Sequence, residues 1–273
     1  MTNTATTLFS PVKLGDLELP NRFVMAPLTR TRAPGHLPNA LMAEYYSQRA
    51  STGLVITECT MVTEGTSSFG DDPGIYSQEQ IEGWKLTTDA VHKAGGRIFM
   101  QIWHGGRAAH PLLNGGKDAV SSSALAIEGE THTPEGKKPY TVPRELTVSE
   151  IKAIVNDFRQ GAINAKEAGF DGVEIHGANG YLIDQFLRDS ANQRTDEYGG
   201  SLENRTRFLF EVIEAVTGVF GSGRVGLRLS PLNSFQSMKD SDPIAWTHFL
   251  SEQLNRFDLA YVHLMRADFF GLQ

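Results

Sequence analysis

Six short runs of apolar, largely β-branched or aromatic residues recur along the chain, at residues 23–28, 53–59, 97–103, 172–176, 225–229 and 259–264. They lack the strict apolar–polar alternation of a half-exposed strand, so each reads as a strand buried on both faces. Segments with helical periodicity separate them, at 40–50, 77–94, 149–168, 201–220 and 243–257. Thr147 or Ser149 can cap the third of these, with Glu150 in its first turn and Gly169 past its end. Strand and helix in regular succession call for a parallel sheet with helical crossovers. The even spacing favours a TIM-type (β/α)8 barrel over an open sheet. A Rossmann fold is the competitor, and its GxGxxG fingerprint occurs literally at residues 221–226. There it leads into a strand instead of leaving one to open a helix, which makes it an accidental match.

With 273 residues, 40% of them hydrophobic, the chain suffices for one large core. Its net charge of −7 offers no general basic field for nucleic acid or an anionic membrane. Cys59 is the single cysteine, which excludes an intramolecular disulfide, a four-thiolate zinc site and a self-supplied iron–sulfur cluster. The cytoplasm is the natural compartment for such a chain. No basic-then-apolar leader and no membrane-length apolar stretch is read from it. Residues 105–144, rich in Gly, Ser, Pro and Thr, follow a strand end, where barrels build their active-site face. They are expected to form a loop or lid over a site, against the alternative of a floppy surface insertion.

The strand ends on that face collect polar groups: Thr29, Glu58 with Cys59, Gln101 with His104, the run His176-Gly177-Ala178-Asn179-Gly180-Tyr181, and Arg228. Two glycines in the fourth group let the backbone turn sharply and present imidazole, carboxamide and phenol to one pocket. His176 and Asn179 can donate to one carbonyl or nitro oxygen as charge develops on it, and Tyr181 can supply a proton. The same hexapeptide also reads as a capped strand end with a surface tyrosine. Gln101 carries donor and acceptor suited to the edge of a flavin or nucleobase, though a lone glutamine is commonly a satisfied core residue. Arg228, set in an apolar run, asks for an anionic or electron-rich partner or for a structural salt bridge. Cys59 on an apolar strand reads as an inert core residue more readily than as a reactive thiol.

Four motifs in order then resemble the Old Yellow Enzyme family of FMN-dependent ene-reductases. They are Pro20-Asn21-Arg22-Phe23 with Met25-Ala26-Pro27-Leu28-Thr29-Arg30, the run from Gln101 to Arg107, the run from Val173 to Leu182, and the run from Asp196 to Arg205. The resemblance covers about Leu8 to Leu272. It implies that Pro27, Thr29, Cys59, Gln101 and Arg228 contact FMN, Cys59 standing at the family's variable small-residue position. Thr29 would bond the flavin carbonyl near N5 and tune its potential, and Arg228 would lie near N1 and C2 and stabilise the reduced ring. His176 and Asn179 would hold the oxygen of the activating group and Tyr181 would protonate the α-carbon. NADPH or NADH would reduce the flavin and leave before the alkene enters, a ping-pong scheme. Substrates would be α,β-unsaturated aldehydes and ketones, maleimides and nitroalkenes.

The resemblance has one gap. Residues 259–264 match the sixth strand, and nothing in the sequence matches the family's seventh and eighth strands or its Gly-rich and Arg-bearing phosphate loops. The expectation is therefore a single FMN-binding barrel domain over residues 1–273, supplying about six βα units and incomplete at its C-terminus. A second polypeptide would complete the barrel and allow activity. Two rivals stay open: a metal-dependent TIM-barrel hydrolase using His104, His176 and His263 with Glu58, and a non-catalytic barrel fragment.

Overall fold

The computed structural model describes residues 6–265, so the last part of the family resemblance, to Leu272, lies outside the described residues. The core sheet has β1 (Val24–Met25), β2 (Leu54–Met61), β3 (Ile98–Trp103), β4 (Gly172–His176), β5 (Val225–Leu229) and β6 (Tyr261–Leu264). All neighbours are parallel, and the strands lie side by side in chain order with no reversal. A doubly wound sheet reverses its order at a switch point, so the Rossmann alternative fails and the barrel order holds. The literal GxGxxG run ends a helix: Gly221 has φ +80° just after the helix Leu202–Phe220, and a single 3-10 turn leads into β5.

Helices α1 (Ala40–Ser47), α2 (Gln78–Lys93), α3 (Val148–Glu167), α4 (Leu182–Leu187), α5 (Leu202–Phe220) and α6 (Pro243–Leu254) supply the crossovers. Their starts follow local chemistry. Ser77 with Gln80, and Thr147 with Glu150, form reciprocal capping boxes, and Asn39, Ser201 and Asp242 cap others. None of the described helices is long and apolar enough to cross a membrane.

Every residue of β2, β3 and β4 is buried, as runs without polar alternation require. One face, with Val55, Ile98, Met100, Ile102, Val173, Ile175, Val225 and Leu227, packs under the helices. On the other, Leu54, Ile56 and Phe99 pack with Leu17 and Leu19 of the hairpin Val12–Leu14/Leu17–Leu19. β1 is shorter than its apolar run, because Pro27 has no N–H to give a ladder.

Residues 105–144 are not a floppy insertion. They contain two 3-10 turns, the hairpin Glu130–Thr133/Gly136–Pro139, and the strand Val120–Ser121 paired with Arg144–Glu145. Arg107, Ala108, Ala109, His110, Asn114 and residues 121–123 are buried.

Candidate active site

Register brings the strand-end residues into two layers. Cys59, Gln101 and Glu174 stand opposite one another on β2, β3 and β4, and a step further along His176, Arg228 and His263 do so on β4, β5 and β6. The first layer exists because of a bulge. The pairing shifts between Ile56 and Cys59, so Cys59 takes the Gln101 position that strict alternation would deny it. Its Sγ lies 3.1 Å from Thr29 Oγ1, and burial pushes its thiol well above the ordinary range, which keeps it protonated.

The same bulge overturns one sequence expectation. Glu58 does not join the strand-end group: its carboxylate accepts from Tyr46 Oη at 3.1 Å and from the Arg30 N–H at 2.9 Å, and Tyr46 belongs to α1. Burial raises the Glu58 carboxyl. The metal-hydrolase rival needs Glu58, His104, His176 and His263 gathered. Among the described residues no group of three or more His, Cys, Asp or Glu is placed to hold a metal, and that rival is set aside.

Gln101 donates through Nε2 to Glu174 Oε1 at 2.8 Å, leaving its carbonyl as the end free to accept. Glu174, fully buried, also holds His263 Nδ1 at 3.0 Å. Arg228 is the charge beside this pair. Its Nε is buried and without a hydrogen-bond partner among the described residues, and burial lowers its pKa while the Glu174 charge works the other way. An orphaned Arg228 Nε and an amide carbonyl of Gln101 left free, on strands either side of β4, suit a flat, electron-rich heterocycle that offers both acceptors and an N–H. The donors present thus fit a flavin ring.

At the end of β4, His176 Nδ1 accepts the Ala178 N–H at 3.3 Å. A nitrogen that accepts carries no proton, so the neutral ring bears its hydrogen on Nε2. Burial, then the charges of Arg228 and His263, hold the His176 pKa well below its usual value, and the ring is a donor without being a cation. Asn179 follows in the left-handed region at φ +59°, its N–H given to Ser230 Oγ at 2.7 Å. The carboxamide oxygen of Asn179 accepts from Asn233 Nδ2 at 2.9 Å.

Tyr181 packs edge-on to His176 and Trp103, with ring centroids 5.1 and 5.0 Å away. Burial raises its phenol well above the ordinary value, so it stays protonated at neutral pH. Residues 105–144 contribute Ala108, Ile127 and Tyr140 to the cluster that holds Cys59, Trp103 and Tyr181. Pro27 and Thr29, half-buried, follow β1. His104 is separate in character: its Nδ1 accepts the Gly106 N–H at 3.0 Å, and burial lowers its pKa to about 3.

Sequence reasoning missed Glu174, Ser230 and Asn233. Glu174 sits inside a motif otherwise read for its histidine, and the other two lie in a loop after β5 whose approach to β4 only the fold creates.

Fold and side chains together define a flavin-binding barrel of the oxidoreductase class. The chain belongs to the NADH:flavin oxidoreductase / NADH oxidase family, whose profile matches residues 7–269. It is 52% identical over 271 residues to a probable flavin mononucleotide-dependent alkene reductase of Leishmania infantum, covering 97% of this chain and 74% of that protein. It is 49% identical to 12-oxophytodienoate reductase 1 of Oryza sativa subsp. japonica over 96% of this chain and 68% of that one. Among solved structures, morphinone reductase superposes with a TM-score of 0.93 at 46% identity, covering 97% of this chain and 72% of its own. The old yellow enzyme from Trypanosoma cruzi gives 0.93 at 43% identity, over 97% and 76%. The fold is accordingly a TIM-type barrel sheet, and the cofactors are FMN with NAD(P)H as reductant.

Proposed function

We propose that this chain reduces the C=C bond of α,β-unsaturated carbonyl or nitro compounds, with His176, Asn179 and Tyr181 acting on the alkene. The observation that supports this reading is the turn after β4, which carries a neutral His176, then Asn179 with its carboxamide oxygen taken by Asn233, then a phenol that burial keeps protonated and that packs edge-on to His176. FMN, once bound and reduced by NADPH or NADH, would supply the hydride that the β-carbon takes up. His176 Nε2–H and the Asn179 amide donate to the activating oxygen and strengthen their hold as charge gathers on it. Tyr181 passes its phenolic proton to the α-carbon and recovers one from solvent. Pro27, Thr29, Cys59, Gln101 and Arg228 would hold the ring, with the Arg228 guanidinium to answer negative charge and the Gln101 carbonyl to accept an N–H. Residues 105–144 act as a rim or lid over the site.

Two finer readings accompany this one. The single cysteine, Cys59, is free and buried, and suits a cytoplasmic protein. The β6 strand leaves Val262 45% and Leu264 56% exposed, and such an edge calls for further polypeptide that also brings donors for the FMN phosphate. Anaerobic titration tests the activity: NADPH should bleach the flavin of the assembled protein and 2-cyclohexenone should restore it, with cyclohexanone as product. Bleaching that the enone leaves unchanged would exclude the reaction.

A further inference from the structure

We propose that Asn233 is a positioning residue that fixes the Asn179 carboxamide with its NH2 end turned to the substrate oxygen. The proposal rests on the reading of Asn179 as an oxygen-binding donor and adds what makes it one. A carboxamide is nearly symmetric in shape, and turning it over exchanges a donor for an acceptor. Facing an oxygen that gathers negative charge, one orientation attracts and the other repels. Something must therefore select the end presented.

The selection runs through a chain of hydrogen bonds with a single allowed direction. The Phe235 N–H, which can only donate, meets Asn233 Oδ1 at 3.2 Å. This assigns the other end of Asn233 as Nδ2, which lies 2.9 Å from Asn179 Oδ1. An NH2 group can only donate, so Asn179 must turn its oxygen to Asn233 and its own NH2 the other way. The loop is held to receive this role: the Asn233 N–H donates to Ser230 O at 3.1 Å, and Ser230 Oγ takes the Asn179 N–H at 2.7 Å. Asn233 is 2% exposed, whereas Asn179 is half-buried, so the chain leads from a closed loop toward the accessible side.

Asn233→Asp is the decisive variant because it keeps the shape and reverses the last donor. One carboxylate oxygen still accepts from Phe235, and the other draws the Asn179 NH2 to itself, turning the Asn179 carbonyl outward. The readout is the affinity of the FMN-loaded protein for 4-hydroxybenzaldehyde, whose phenolate stacks on oxidised flavin with a long-wavelength charge-transfer band. Asn233→Asp should weaken that affinity about ten-fold or more, and Asn233→Ala, which only frees the amide, by a smaller factor. In an Asn179→Ala background neither change should add to the loss already present, the coupling that a shared interaction requires.

Wild-type affinity in both Asn233 variants would overturn the proposal. So would an equal loss from Asn233→Asp with Asn179 already removed, since the added charge would then act directly on the phenolate. Should the Asp variant fail to retain flavin, Asn233→Ala carries the test in both backgrounds. If Asn179→Ala itself binds the phenol normally, the oxygen-binding reading fails; if it binds weakly while Asn233 variants bind normally, the positioning role alone fails.

Discussion

The ends of β3 and β4 carry the same local device with different company. Each closes on a His-Gly pair, and each imidazole accepts the N–H two residues on, Gly106 for His104 and Ala178 for His176. Both rings are buried and neutral. Burial alone sets the His104 value, whereas His176 also feels the charges of Arg228 and His263 across the sheet. Beyond His104 the chain enters a 3-10 turn whose Arg107 is tied to the carbonyls of Leu125 and Gln236. Beyond His176 it turns at Asn179 and delivers Tyr181. The local motif fixes a tautomer, and strand neighbours decide whether that tautomer faces chemistry.

Tyr181→Phe is the strongest way to test that division. It should slow the alkene half-reaction by about 10²–10⁴, the span of general acid catalysis, and leave flavin reduction by nicotinamide at the wild-type rate. Stopped-flow spectroscopy separates the two halves. Equal wild-type rates in both would pass the proton donation to water or another acid.

Replacing His176 or Asn179 by Ala comes next in size. Each removes one donor to a charged oxygen, about 1.5–3 kcal/mol, so phenol affinity should fall roughly ten- to a hundred-fold. His104→Phe should leave that affinity unchanged. A matching loss at His104 would erase the contrast between the two strand ends, and full phenol affinity in both His176→Ala and Asn179→Ala would remove those residues from oxygen binding.

Much of this contrast is legible in the sequence, and its limits have physical causes. The order of strands and helices follows from periodicity, because runs buried on both faces differ in composition from amphipathic helices. The gathering of Cys59, Gln101, His176 and Arg228 follows from their places at strand ends. Which way each points does not. Glu58 and Cys59 are adjacent and were both expected at the mouth, yet a two-residue irregularity in β2, visible only in its pairing with β3, sends one outward. Asn233 lies 54 residues from Asn179, and no local pattern announces their bond. Strand β1 stops at Met25, short of its apolar run, because Pro27 has no N–H to give the ladder.

His104→Phe offers a stability test of the structural half of the comparison. The Gly106 N–H would lose its acceptor while still enclosed, a cost of about 1–3 kcal/mol. Urea denaturation at pH 7.5 should show a lower midpoint with an unchanged slope. An unchanged midpoint would mean that the ring's hydrogen bond contributes nothing to the fold.

The smallest expected effect is the pH dependence of that deficit, and its sign follows from linkage. His104 is neutral in the fold, with its pKa lowered from 6.5 to about 3, whereas the unfolded chain protonates it near 6.5. Below that pH the unfolded state binds a proton the folded state refuses, so the wild-type protein loses stability as pH falls, at a rate that approaches about 1.4 kcal/mol per unit for this one group. Phenylalanine takes up no proton in either state. Buried carboxyls with raised pKa values, Glu58, Asp72 and Asp184, act in the opposite sense, but they are common to both proteins and cancel in the difference. The deficit of His104→Phe should therefore narrow by about 1 kcal/mol between pH 6.5 and 5.5, measured by urea denaturation at each pH. A deficit that stays constant across this interval would show that His104 takes up its proton in the folded state as readily as in the unfolded one. The ring would then be open to water, and the distinction between a sealed imidazole after β3 and a working one after β4 would fall.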